Sequence, residues 1–311
     1  MTFRQFLLVV EIRTKIISVS TYLLATLYAV AAGASISPLS AALLAIAVLC
    51  VDMGTTAFNT FYDYVRGVDS PLLTVEPDKV LLHEGVAPAH ALLVSLALYA
   101  VAAATGLAVA LLSSWWIIAA GFVCMLVGFF YNAGPLPISR TPFGELFAGG
   151  FLGAVLFLVV SFVYAGETTL HALIASVPST LLIAAVLTVN NTCDIEGDRA
   201  AGRRTLSIVV GARAAPFLVD LLCAGSYAVL AVVLFGDGAA VAAGPAAAMV
   251  TSVALVAAGA VASAAMLCGM HRRGYSHATK HRNMAAMMRI VIVYTAVYAA
   301  ALILASWRPP L

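Results

Sequence analysis

Charge is what this sequence has least of: 14 acidic and 16 basic residues in 311, or 10% of the chain. A soluble domain carries about 25%, so a water-covered surface of ordinary extent is excluded. The formal net charge is +2 and no basic tract with interleaved aromatics occurs, which argues against nucleic acid as a partner. Cysteine is scarce too. Cys50, Cys124, Cys193, Cys223 and Cys268 stand singly with no CxxC pair, and read as small apolar side chains rather than a disulfide framework or a thiolate metal site. The six histidines show no HExxH or similar ligand spacing. A cleavable leader is not expected either. The first apolar run, Phe6–Val10, is short and runs into Glu11, Arg13 and Lys15. Residues 3–15 read instead as an amphipathic segment at a membrane interface.

Apolar residues fill the rest. They make up 63% of the chain, and mean hydropathy is +1.05. This composition predicts an all-α, polytopic membrane protein, one domain over residues 1–311 folded as a single bundle. Nine transmembrane helices are expected, at 16–35, 39–64, 88–112, 115–132, 143–165, 170–194, 213–235, 244–268 and 283–306. The longer polar connections follow helices 2, 4, 6 and 8; those between are short and almost uncharged. Fifteen of the 16 Lys and Arg residues then fall on one side and Arg308 alone on the other. That asymmetry predicts a cytoplasmic N-terminus and an outside C-terminus in the cell membrane, so that a site built on the polar stretches after helices 2 and 6 faces the cytoplasm.

Two polar stretches interrupt the apolar pattern. Asn190–Leu206 reads NNTCDIEGDRAAGRRTL and ends the apolar segment Leu173–Val189. Asp194 and Asp198 lie four residues apart, a spacing that on one helix puts both carboxylates on one face. Such a pair repels unless a cation sits between, and Arg199, Arg203 and Arg204 follow at once. Asn59–Asp69 reads NTFYDYVRGVD and ends the apolar segment Ser40–Phe58. Asn59 precedes Asp63 by four, as Asn190 precedes Asp194. This match suggests a pseudo-repeat of helices 2–5 and 6–9. Acidic oxygens beside arginines suit a diphosphate held by Mg²⁺, and the two patches are expected to face each other. The plainer reading, a solvated helix cap at each, stands beside this one. Asp52, two turns before Asn59, is either a functional intramembrane acid or a partner of Thr55 or Thr56. Asp220 is ambiguous in the same way. His83–Gly85 and Lys280–Asn283 read as solvated loop.

These residues resemble the two aspartate motifs of the UbiA-type intramembrane aromatic prenyltransferases. The spacing Asn59–Asp63–Asp69 with Arg66 and Gly67, the continuation DRAAGRRTL, and the segment Tyr131–Pro137 leading to Gly144–Glu145 are most similar to the 1,4-dihydroxy-2-naphthoate branch of that family. EIRTKIISV is similar to first-helix sequences of the family. Two positions depart. Thr60 stands where the family often has a second aspartate, and Pro135 stands where the hydroxybenzoate branch has a lysine.

The resemblance implies Mg²⁺ as cofactor, held by Asp63, Asp69, Asp194 and Asp198, with Asn59 and Asn190 as neutral oxygen ligands or orienting groups. Gly67 is expected to break helix 2 and let Asp69 fold back toward Asp63. Arg66, Lys79, Arg199, Arg203 and Arg204 are expected on the diphosphate oxygens, Tyr131 over the allylic cation and Asn132 beside the acceptor. Tyr131 reads equally as an interfacial belt tyrosine. Glu145 reads as a base or a helix-start acid. The implied substrates are a polyprenyl diphosphate and an aromatic acceptor, dihydroxynaphthoate first, with the prenyl tail lying along the bilayer-facing bundle. The alternatives are another acceptor, a membrane terpene cyclase, or a secondary transporter. A transporter would carry its acids at mid-membrane on broken helices; these acids sit at helix ends beside arginines.

Overall fold

The computed structural model describes residues 1–69, 79–236 and 246–306, and these are helices and turns with no strand among them. In chain order they are α1 Phe3–Val9, α2 Ile16–Ala31, α3 Pro38–Val65, α4 Val80–His83, α5 Pro88–Leu112, α6 Trp116–Asn132, α7 Gly144–Gly149, α8 Leu156–Ala165, α9 Leu170–Cys193, α10 Ile195–Ala200, α11 Leu206–Val210, α12 Ala215–Phe235, α13 Ala246–Arg273 and α14 Lys280–Ser306. A π-helical turn, Gly150–Val155, joins α7 to α8. Eight described helices are long and apolar enough to cross a membrane; α6, the fourth of the nine expected spans, is apolar but has 17 residues. At 1.5 Å per residue it falls a little short of a ~30 Å hydrocarbon core. Parts of the 65–87 connection, residues 244–245 of the eighth expected span, and Arg308 lie outside the described residues. The protein is an integral membrane protein.

Contacts divide the chain into two compact units. The first comprises Met1–Val19, Ser37–Gly144 and Glu196–Thr205. Proline at the first turn starts both α3 and α5, where its missing N–H costs nothing. The helices α3, α5 and α6 approach closely where side chains are absent. A Cβ on Gly54 would stand 2.6 Å from the Tyr99 ring, and one on Gly128 would stand 2.5 Å from the Tyr99 hydroxyl. Phe58 packs edge-on against both Tyr99 and Phe129. The amphipathic start forms α1, and Val9 at its end and Val10 just after it are buried with Ala57, Val80 and Leu81. Lys15 turns inward: its Nζ lies 2.6 Å from Asp52 Oδ1 and 2.6 Å from Thr56 Oγ1, and Ser18 donates to Asp52 Oδ2 at 2.6 Å. Asp52 therefore takes its charge partner from the N-terminal segment, while the Thr56 hydroxyl donates to its main-chain carbonyl at 3.0 Å.

The second unit comprises Ser20–Ile36, Glu145–Ile195 and Leu206–Leu311, with α9 its most buried long helix. Pro178 lies inside α9. Nearby hydroxyls of Ser176 and Thr180 bond back to Leu173 and Ser176 carbonyls, at 2.7 and 3.1 Å, in the way polar side chains settle an interrupted helix in lipid. The π-turn packs here. A Cβ on Gly153 would stand 2.5 Å from the Thr180 Cα, and one on Gly149 would stand 2.5 Å from the Thr180 carbonyl oxygen, so this Gly-x-x-x-Gly pair permits backbone contact. On α14, Tyr294 and Tyr298 are buried, and Tyr298 donates to the Ala175 carbonyl at 3.1 Å. Spans 2, 3 and 4 fall in the first unit and span 5 in the second, so contacts divide the chain differently from the 2–5 and 6–9 pseudo-repeat.

Candidate active site

In the first unit, α3 carries Asn59 and Asp63 one turn apart, both half-buried. The helix stops at Val65 and Gly67 takes φ +69°, a conformation glycine adopts without Cβ cost. The chain then folds back, and the Asp69 amide donates to the Asp63 carbonyl at 3.1 Å, as Gly67 led one to expect. Asp69 pairs with Lys79 at 3.0 Å. Asp63 lies in the field of Lys79, Arg203, Asp69 and Glu11. Burial works against the charge on Lys79, but Asp69, Glu11 and Asp63 together outweigh it and hold its pKa above the usual lysine value. Glu11 was not singled out from the sequence. It takes a left-handed conformation, φ 47°, that few non-glycine residues adopt.

Arg203 and Asp198 pair at 3.0 Å in the same unit, with Asp198 buried. Their loop is stapled to the turn after α6. Arg140 donates to the Ala201 carbonyl at 2.5 Å, Arg203 to the Ser139 carbonyl at 3.0 Å, and the Arg204 amide to the Arg140 carbonyl at 2.9 Å. Arg140 is a brace that sequence reasoning passed over. Arg199 and Arg204 are exposed. Arg66, expected on phosphate, reaches instead to the carbonyls of Asn132 and Gly134 at 2.6 and 2.7 Å and lies 4.9 Å over the Tyr62 ring. Asn132 is buried; its Nδ2 donates to the Thr55 carbonyl at 3.1 Å, and its Oδ1 takes no bond among the described residues. Tyr131 is half-buried and donates to the Gly144 carbonyl at 3.3 Å. Thr60 donates to the Val9 carbonyl at 3.0 Å, so the position where the family often has aspartate is turned to the N-terminal segment.

In the second unit, α9 ends at Cys193 and Asp194 is its C-cap, with α10 starting at Ile195. This corrects the one-helix reading of Asp194 and Asp198: the helix breaks between them, and each carboxylate takes a cation of its own. Both Asp194 oxygens are used, Oδ2 by Lys280 at 2.6 Å and Oδ1 by His277 at 3.2 Å. His277 comes from the connection between α13 and α14, and Lys280, in the stretch Lys280–Asn283 expected to be solvated loop, opens α14. The connection is built around Gly274 at φ +74°, a Ser276–Thr279 capping box, and Asn283 donating to the Gly274 carbonyl at 2.9 Å. Asn190 is half-buried and its Nδ2 lies 3.4 Å from Asn191 Oδ1, while Asn191 donates to the buried Glu145 at 2.8 Å. Asp220 pairs with His271 at 2.7 Å.

Aspartate and asparagine oxygens are the hard donors Mg²⁺ takes. Among the described residues no three acids, histidines or cysteines stand ready as a metal cage. Mg²⁺ does not need one, since it commonly binds through one or two carboxylates, waters and substrate phosphate. The residues present fit that mode.

Among curated proteins, the chain is 36% identical over 179 residues to the 1,4-dihydroxy-2-naphthoate octaprenyltransferase of Bacillus subtilis (strain 168), covering 58% of this chain and 57% of that one. It is 32% identical over 171 residues to the protein of that name from Mycobacterium tuberculosis, covering 55% and 58%. These matches span just over half the length of the curated relatives. Among solved structures, a UbiA homolog from Archaeoglobus fulgidus bound to DMAPP and Mg²⁺ shares the fold with a TM-score of 0.62 at 17% identity, over 96% of this chain and 99% of that one. A UbiA homolog from Aeropyrum pernix K1 does so with a TM-score of 0.62 at 17% identity, over 90% and 96%. The sequence model of the UbiA prenyltransferase family matches residues 18–293, a stretch that takes in both aspartate motifs and every helix carrying them, and the chain belongs to that family.

Proposed function

We propose that this protein transfers a polyprenyl group from a polyprenyl diphosphate to an aromatic acceptor with Mg²⁺ as cofactor, and that the acceptor is 1,4-dihydroxy-2-naphthoate. One observation carries the reading. Three of the four motif carboxylates stand against a cation of the chain, Asp69 on Lys79, Asp198 on Arg203 and Asp194 on Lys280, and Asp63 lies in the field of Lys79 and Arg203. Interleaved anions and cations suit a metal diphosphate, the carboxylates taking the metal and the cations the phosphate oxygens.

Bound Mg²⁺ supplies charge neutralisation of the leaving diphosphate. Asp63, Asp69, Asp194 and Asp198 would hold it, with Asn59 and Asn190 as neutral donors. Lys79, Arg199, Arg203 and Arg204 would take the free phosphate oxygens. Arg66, committed to the Asn132 and Gly134 carbonyls, holds the turn that follows Tyr131. Tyr131 presents its ring to the allylic cation, and Asn132 orients the acceptor. The C–O bond breaks with its electron pair leaving on the diphosphate. The ring carbon bearing the carboxylate then bonds to the prenyl carbon, and carbon dioxide leaves, returning its electron pair to the ring. Demethylmenaquinone, in its reduced form, is the product. The acceptor assignment draws on the naphthoate octaprenyltransferase relatives. The basic asymmetry supports a cytoplasmic site, where prenyl diphosphates are made.

The test uses membranes carrying the protein with a long-chain prenyl diphosphate, Mg²⁺ and, separately, dihydroxynaphthoate, hydroxybenzoate and homogentisate. Asp63→Asn and Asp194→Asn each lower turnover on the order of 10³-fold or more. Near wild-type turnover in both variants, with Mg²⁺ still required, overturns the metal assignment. Preference for hydroxybenzoate overturns the acceptor. Diphosphate release that ignores every acceptor points to a cyclase.

A further inference from the structure

Between α13 and α14 in the second unit lies an open groove of about 600 Å³. Its floor is Ala265, Met266, Ala285 and Ala286, and its wall is basic: Arg273, Arg282 and Arg289, with His281. The groove opens on a different side of α14 from the packed core. At 100° per residue, Arg282, Ala285 and Arg289 share one stripe, while the buried Met287, Ile290 and Tyr294 lie about a third of a turn round. None of the three arginines forms an ion pair with an acid among the described residues. Arg273 alone is tied to protein, its Nε donating to Asn283 Oδ1 at 3.2 Å. Gly269 leaves room for it: a Cβ there would stand 3.3 Å from Arg273 Nη1, so the guanidinium folds back along its own helix over the groove.

Arg289 makes the arrangement unusual. It is exposed and lies within the span His277–Leu304, roughly 13 Å along α14 from Lys280 at 1.5 Å per residue. A cation at that depth on a lipid-facing surface is costly unless an anion meets it. Arg282 stands two turns away on the same stripe, near the basic end. Small apolar residues, Ala285 and Ala286 with Ala265 opposite, line the groove between them, and the cations at its rim call for phosphate.

We propose that this groove is a binding site for an anionic phospholipid, with the headgroup phosphate on Arg273, Arg282 and Arg289 and an acyl chain along the Ala265–Ala286 floor. Charge complementarity selects the ligand: several unpaired cations over an apolar slot open to the bilayer match a lipid with a net negative headgroup and discriminate against a zwitterionic one. The groove uses none of the residues assigned to metal or diphosphate.

The experiment is native mass spectrometry of the purified protein after exchange into micelles doped with phosphatidylglycerol or phosphatidylcholine. The wild type retains phosphatidylglycerol and not phosphatidylcholine, and retention falls with added salt. Arg282→Gln with Arg289→Gln weakens retention roughly 30-fold, from about 1 kcal/mol per charge. Equal retention of the two lipids by the wild type overturns the proposal without need of any variant. So does undiminished retention by a folded double variant. Displacement of the bound lipid by a prenyl diphosphate at equal concentration also overturns it, since the groove then belongs to the substrate. Loss of lipid retention with prenyl transfer intact separates this site from the proposed activity.

Discussion

Replacing Asp52 with asparagine removes the anion that meets Lys15 inside the first unit. The Lys15 side chain is 4% exposed and that of Asp52 11%, and the Nζ–Oδ1 distance is 2.6 Å. Ser18 fills the second carboxylate oxygen and Thr56 takes another ammonium proton. With the carboxylate gone the ammonium stays buried against neutral partners. Breaking such a pair costs about 3–5 kcal/mol, while replacing both members with apolar residues of similar size is neutral or stabilising. Asp52→Asn, Asp52→Leu and Lys15→Met should each destabilise strongly, and Lys15→Met with Asp52→Leu should cost far less than the sum of those two single changes. The assay is reversible unfolding in mixed micelles of the four proteins of the cycle, which isolates the coupling between the two sites. Prenyl transfer is measured on each folded variant. Under this reasoning the double variant keeps turnover. An Asp52→Asn protein as stable as wild type but without turnover would refute it and make Asp52 part of the chemistry.

Other expectations follow from single contacts. Thr60→Asp places a carboxylate against the Val9 carbonyl that Thr60 now bonds, so it should destabilise by about 3 kcal/mol without tightening Mg²⁺ binding; unfolding and metal titration check both parts. Gly153→Ala drives a methyl into the Thr180 backbone and should cost about 2 kcal/mol, whereas Gly150→Ala meets nothing within 4 Å and should be neutral. In a cysteine-free background, Glu196→Cys should resist impermeant thiol reagents in intact cells and Glu167→Cys should label. Both positions are exposed, so the result reports side and not burial, and the opposite pattern would put the motifs outside.

Span positions were legible in the chain because twenty-residue apolar runs have little freedom in a bilayer: 88–112 was read to the residue, and the break at Ser113–Ser114 separates α5 from α6 as expected. Connections were less legible. Their conformation depends on what they touch. The short helices α10 and α11, and the extension of α13 to Arg273, fall in stretches read as loops. Gly67 was the exception, because a glycine after a helix end has a local reason to turn the chain.

Composition, span pattern and the two aspartate stretches thus came from the sequence by itself, since hydropathy and residue type act locally. Tertiary structure alone decided which cation each acid holds. Lys15 on Asp52, Arg203 on Asp198 and Lys280 on Asp194 join residues from 5 to 86 positions apart. Coulomb attraction depends on distance in space, and in a membrane protein with so few charges a buried acid is met by whichever cation the helix packing brings within reach.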